Sequence, residues 1–124
     1  MVKEEKVQGW EAFQQFISKF KGSEVLNVYF TGTKDSSGIS WCPDCVIAEP
    51  HVRAGLKHAP EDSIFLQVEV GDRTYWKDTK NPFRMDKSTK LSVIPTLLRW
   101  KSHQKLEGAH CVSDDLVEMF YTDV

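Results

Sequence analysis

The stretch EVLNVYF, residues 24–30, restricts the fold more than any other part of the chain. It is a short apolar run, rich in aromatic and β-branched residues and without regular polar alternation. Such a run predicts a strand buried on both faces. A strand of that kind lies inside a sheet with helices on its two sides, so the flanking sequence has to supply them.

The flanks do so. Trp10, Phe13, Ile17 and Phe20 recur at helical spacing, and Lys21-Gly22 is a stop, which places a first helix after a short leading segment. TGTKDSSGIS, residues 31–40, is a loop by its glycines and serines. From Cys42 to about His58 the pattern is helical, with Lys57 and His58 in the last turn and Pro60 beyond. Pro50 falls inside that helix, where it predicts a kink. In SIFLQVEVG, Ile64, Leu66, Val68 and Val70 alternate with Phe65, Gln67 and Glu69, a strand ending at Gly71. Asn81 can cap and Pro82 open a further helix. PTLLRW and QKLEGAHCV predict two strands around the turn KSH, and Ser113 caps a last helix with Asp114 and Asp115 in its first turn and Leu116, Val117 and Phe120 on its apolar face. The expected order is helix, strand, helix, strand, helix, two strands, helix. That order suits a parallel crossover followed by a C-terminal hairpin and a closing helix. With no repeat, linker or second boundary, residues 1–124 are expected to form one domain.

Length and charge set further limits. A chain of 124 residues can bury about two thirds of the surface its unfolded form exposes, so it does not depend on disulfides or cofactors for its core. The formal net charge of -2 offers no basic excess for nucleic acid, and no apolar segment approaches the ~18 residues of a membrane span. MVKEEKVQGW lacks the apolar stretch of a secretory signal, so the protein is expected to stay where it is made. Three cysteines, Cys42, Cys45 and Cys111, suit a reducing compartment better than a disulfide scaffold. No large apolar surface stripe is legible, and a monomer is expected.

Cys42 and Cys45 stand in WCPDC, and three chemistries are open to them: half a zinc site, a structural disulfide, or a redox pair. Zinc needs four ligands, and Cys111, His51, His58, His103 and His110 provide no second well-spaced pair, so no metal is expected. A structural disulfide closing so short a loop stabilises little. The redox reading has a physical logic. If Cys42 caps the helix and Pro43 opens it, first-turn N–H groups and the helix dipole favour a Cys42 thiolate. Cys45, one turn on, lies close enough to bond Cys42 with little strain. Cys42 would attack a partner disulfide, and Cys45 would resolve the mixed disulfide. Asp44 opposes the thiolate by about as much as the dipole favours it, which places Cys42 nearer ~7 than the ~3.5 of a strong oxidant and makes a reductant.

Around that pair, Trp41 directly precedes the nucleophile and is expected to flank the reactive sulfur. Pro95, in VIPTLL, opens a strand; the sequence leaves its peptide bond open between trans and cis, and a cis bond would present the backbone of Ile94 to a partner. Cys111 reads as a small residue at a strand end, and the histidines as surface or cap residues.

WCPDC with Pro50 five residues after the second cysteine, followed by SVIPTLL, resembles the thioredoxin superfamily over nearly the whole chain. YFTGTKDSSGISWCPDC together with YWKDTKNPFR resembles, more narrowly, the family of small thioredoxin-related proteins of the thioredoxin domain-containing protein 17 type. The resemblance implies an α/β, thioredoxin-like fold with a central mixed sheet flanked by helices. It implies Cys42 as nucleophile, Cys45 as resolving thiol, Pro43 and Asp44 as the dipeptide tuning the potential, and Pro95 as a cis-proline facing the dithiol, beside the substrate-contact readings of Trp41 and Ile94 given above. It further implies a cytoplasmic disulfide reductase of restricted range, acting in redox homeostasis without a cofactor and reduced by NADPH-dependent thioredoxin reductase, with peroxide reduction attributed to the same thiols. A thioredoxin-fold binding or signalling module and a thiol peroxidase are the alternatives. Tyr29 stands where ordinary thioredoxins carry a buried aspartate, leaving Asp44 as a candidate base for Cys45. The segments 31–40 and GDRTYWKDTKN are longer than in thioredoxin and would border the dithiol, restricting which partners reach Cys42.

Overall fold

The computed structural model describes all 124 residues. In chain order the elements are strand β1 (Lys3–Gln8), helix α1 (Gly9–Lys19), β2 (Leu26–Thr31), α2 (Pro43–Ala54), β3 (Ile64–Glu69), α3 (Arg73–Lys77), α4 (Pro82–Met85), β4 (Thr96–Arg99), β5 (Lys105–Glu107) and α5 (Asp114–Thr122). Single 3-10 turns lie at Gly55–His58 and Gly108–Val112. The strands form one mixed α/β sheet in the order β1-β3-β2-β4-β5.

β2 is buried at every residue, as its apolar run requires. It pairs in parallel with β3, Val28 opposite Leu66, and antiparallel with β4, Val28 opposite Leu98. Because successive strand residues face opposite sides, the sheet divides the core in two. Val28, Phe30, Leu66 and Val68 pack with Phe13 of α1 and with Trp76 and Phe83. Tyr29, Phe65 and Leu97 pack with Ala48 and Val52 of α2 and with Val117, Phe120 and Tyr121 of α5. Aromatic edges organise the first layer, with Phe13 and Phe30 centroids 5.6 Å apart at 72°.

Three expectations need correction. The leading segment is a strand: β1 runs parallel to β3, Lys3 opposite Ile64 and Gln8 opposite Glu69. Its side chains are mostly charged and none is fully buried, so its backbone ladder, not apolar alternation, holds it at the sheet edge. The second hairpin strand is short. Gly108, at φ +56, turns the chain out of the ladder and donates its N–H to the Pro95 carbonyl at 2.8 Å. Cys111 therefore lies in a 3-10 turn, not at a strand end. The helix from Cys42 ends at Ala54 and continues to His58 as a 3-10 turn, since Gly55 is pressed against Val117 and Tyr121. Within GDRTYWKDTKN, Asp72 caps the short α3 by accepting the Tyr75 N–H at 2.8 Å.

Candidate active site

β2 ends at Thr31, and the chain returns through the 31–40 loop to deliver Cys42 to the start of α2. There Cys42 is the cap, with extended backbone at φ -92, and Pro43 takes the first helical position. The Cys42 Sγ accepts the Cys45 N–H at 3.2 Å, the capping bond expected from sequence. Cys42 N–H donates to Ser40 Oγ at 3.1 Å, and Val46 N–H to the Cys42 carbonyl at 3.1 Å, so the cap is held on both sides. The two sulfurs are bonded, with the Cα atoms 5.2 Å apart. Cys42 is 5% exposed and Cys45 1%, so what access there is belongs chiefly to Cys42.

The 31–40 and 71–81 segments meet at this point. Thr33 and Gly71 clasp them, Thr33 N–H donating to the Gly71 carbonyl at 3.0 Å and Gly71 N–H to Thr33 Oγ1 at 2.9 Å. Trp41 Nε1–H donates to the same Gly71 carbonyl at 2.8 Å. The Arg73 guanidinium covers the Trp41 ring, 5.1 Å from its centroid, and donates to the Trp41 carbonyl at 3.4 Å. Trp41 is thus gripped through its ring edge, ring face and backbone. Gly32 sits beneath it with no room for a side chain: a Cβ there would meet Ser40, Trp41 and Cys42.

The Ile94–Pro95 peptide bond is cis. The Ile94 side chain is buried in the same apolar cluster as Cys42 and Cys45. Pro43 and Asp44 are exposed on the first turn of α2. Tyr29 lies fully buried below the helix, its hydroxyl donating to the Cys45 carbonyl at 3.4 Å. Burial, followed by the neighbouring Cys111 and Glu49, raises its phenol well above the ordinary range, so it stays neutral and cannot take the place of a carboxylate. Burial also acts to raise Glu49, one turn beyond Cys45, but Lys34 at 2.9 Å and Arg53 at 3.2 Å outweigh it and hold the carboxyl below its usual range.

Cys111 is apart from the pair. It is fully buried, 3.5 Å from the Leu106 carbonyl, and burial pushes its thiol up to about 11. His51 meets Asp114 at 2.8 Å and His58 meets Glu118 at 3.4 Å, both across the contact with α5. No three His, Cys, Asp or Glu side chains converge as a metal site. No helix is long and apolar enough to cross a membrane. Sequence reasoning missed Gly32, Thr33, Ser40, Gly71 and Arg73. Gly71 and Arg73 reach Trp41, and Thr33 reaches Gly71, across thirty residues or more, while Gly32 and Ser40 act through close packing and a loop hydrogen bond; neither kind of contact leaves a periodic or capping signal.

Comparison with known proteins agrees with this geometry. A family model described as thioredoxin domain-containing protein 17-like, thioredoxin domain, matches residues 6–123. Proteins named thioredoxin domain-containing protein 17 from Epinephelus coioides and Homo sapiens are 50% and 45% identical to the chain over 117 residues, covering 94% of it and 93% of each relative. The thioredoxin-like protein Clot of Arabidopsis thaliana is 39% identical over 79 residues, 63% of this chain and 59% of its own.

Proposed function

The chain belongs to the thioredoxin domain-containing protein 17-like thioredoxin-domain family, and from that premise we propose that it is a protein-disulfide reductase working through Cys42 and Cys45. The carrying observation is the capped, bonded pair at the start of α2, with its outer sulfur accepting the Cys45 N–H at 3.2 Å.

The chemistry follows from that arrangement. In the reduced protein the Cys42 thiolate, favoured by that N–H and the helix N-terminus, bonds one sulfur of a substrate disulfide. The substrate S–S bond breaks, and its other sulfur leaves as a thiolate that takes up a proton. Cys45 then loses its proton and bonds Cys42 Sγ, breaking the mixed disulfide and releasing the second substrate thiol. The substrate gains the two electrons that the dithiol loses. Pro43 costs nothing at the first helical position, because its missing N–H had no intrahelical partner. Asp44 moderates the thiolate, and Trp41, Ile94 and Pro95 form the face that meets the substrate. Gripped by Gly71 and Arg73, Trp41 serves as a fixed wall beside Cys42.

An external reductant must reopen the Cys42–Cys45 bond, and thioredoxin reductase with NADPH is the proposed donor, in a reducing compartment such as the cytoplasm. The clasped 31–40 and 71–81 segments support a restricted range of partners. NADPH oxidation with thioredoxin reductase, using insulin and a small disulfide in parallel, tests both points. The reading expects turnover with the small disulfide and little with insulin. No turnover with either, while the dithiol remains chemically intact, would remove the proposed donor; a cellular effect that survived Cys42→Ser would favour a binding module.

A further inference from the structure

Beside the dithiol a cleft of about 270 Å³ runs between the 31–40 loop and α2, lined by Lys34, Ile39, Ser40, Val46, Glu49 and Arg53 among others. Two of its walls are tied to the nucleophile's backbone, since Ser40 accepts the Cys42 N–H and Val46 donates to the Cys42 carbonyl. The charges in it are already matched: Glu49 accepts from Lys34 at 2.9 Å and from Arg53 at 3.2 Å, and Arg53 also donates to Glu4 at 2.6 Å and to Gln67 at 2.7 Å. Its two large apolar side chains stand open, Ile39 56% and Val46 45% exposed, beside the exposed Gly38 and Pro50, while the paired Lys34, Glu49 and Arg53 are only partly exposed.

Building on the dithiol-exchange reading above, we propose that this cleft is a specificity subsite for an aliphatic side chain, of leucine or methionine type, close to the reactive cysteine of a polypeptide substrate. The occupant follows from the covalent step. In the mixed disulfide the substrate sulfur is bonded to Cys42 Sγ, and an extended chain advances about 3.3 Å per residue, so a chain that leaves that cysteine on the Ser40 and Val46 side reaches the cleft within about three residues. An aliphatic side chain there removes Ile39 and Val46 from water. A charged one would be desolvated beside carboxylates and cations that already have partners.

The test mixes pre-reduced protein with peptide disulfides that differ at a single residue, Leu, Ser, Glu or Lys, scanned over the three positions on each side of the cysteine, with 2-hydroxyethyl disulfide as a substrate that has no side chains. At one position the Leu peptide reacts about tenfold faster than the Ser, Glu or Lys peptide, the scale of one aliphatic group in an apolar pocket. Ile39→Ser and Val46→Ser each abolish the preference, and Ile39→Val keeps it. The readout is the ratio of rates within one protein, so a general loss of activity cancels. Equal rates across the series, a preference for Glu or Lys, or a Leu preference that survives both serine substitutions would overturn the subsite. A wild-type protein that also left 2-hydroxyethyl disulfide unreduced would overturn the dithiol reading and the subsite together; reduction of that compound without discrimination among peptides would overturn the subsite alone.

Discussion

Alanine at Gly32 probes how closely the 31–40 loop is seated beneath Cys42. The added Cβ lies 2.8 Å from Ser40 Oγ, 2.8 Å from Trp41 Cε2 and 3.0 Å from Cys42 Cβ, where relaxed carbon contacts lie at about 3.5–4.0 Å. None of the three can easily withdraw. Ser40 Oγ is bonded to the Cys42 N–H, Trp41 is tethered to Gly71 at 2.8 Å, and the Cys42 Cβ is fixed by the helix cap. Overpacking by one methyl group costs about 1–3 kcal/mol. The stiffer unfolded chain returns about 0.4–1 kcal/mol, which leaves a net loss of about 1–2 kcal/mol. With a urea slope of about 2 kcal/mol per molar, the middle of the usual range, the unfolding midpoint falls by roughly 0.5–1 M. Dithiol exchange suffers more, by about tenfold to a hundredfold, because relief of the clash displaces Cys42 itself. Gly9→Ala separates the two effects. Gly9 is at φ +84 and an added Cβ there meets nothing within 4 Å, so alanine strains the backbone without pushing on Cys42 and lowers stability without slowing exchange. A Gly32→Ala protein with the wild-type midpoint and exchange rate would refute the seating of the loop described here.

Arg99 is 7% exposed, and it donates to Asn27 Oδ1 at 3.2 Å, Phe120 carbonyl at 2.7 Å, Asp123 carbonyl at 2.6 Å and Gln104 Oε1 at 2.6 Å. Arg99→Met strands several of these acceptors at the end of α5, and its expected cost is about 3 kcal/mol or more; thermal unfolding within about a degree of wild type would contradict this. Cys111 supplies a pH test. Its thiol ionises at 9.0 when unfolded and is pushed up to about 11 by burial, so the unfolded chain loses that proton first as pH rises. The contribution is fully present below pH 9.0 and is lost as pH climbs through about 11. Urea midpoints should therefore fall more steeply over that range in wild type than in Cys111→Ala, and parallel curves would count against the burial of that thiol.

What the sequence made legible was what is local. The apolar run before β2's end, the cap by Cys42 with Pro43 behind it, and the Asn81 and Ser113 caps each depend on residues within one helical turn or one strand. β1 escaped because an edge strand made of Lys3–Gln8 owes its place to backbone pairing with β3, and its side chains carry no period of two. The 3-10 turn that buries Cys111 escaped because the glycine that starts it, Gly108, is an ordinary turn residue in sequence and becomes decisive only through its bond to Pro95. In the site, the WCPDC residues were legible, whereas the Thr33–Gly71 clasp and the Arg73 cover on Trp41 depend on two loops brought together by the parallel pairing of β2 with β3. Long-range contacts of this kind leave no mark on either segment read alone.

The most direct measurement of the central claim is the intact mass of reduced Cys45→Ser and Cys42→Ser proteins after exposure to a disulfide-bonded peptide. A nucleophilic Cys42 and a resolving Cys45 predict that Cys45→Ser accumulates a one-to-one peptide adduct through Cys42, while Cys42→Ser forms no adduct and releases no peptide thiol. An adduct carried by Cys45 in the Cys42→Ser protein, or complete peptide reduction by Cys45→Ser without an adduct, would contradict the two-cysteine mechanism.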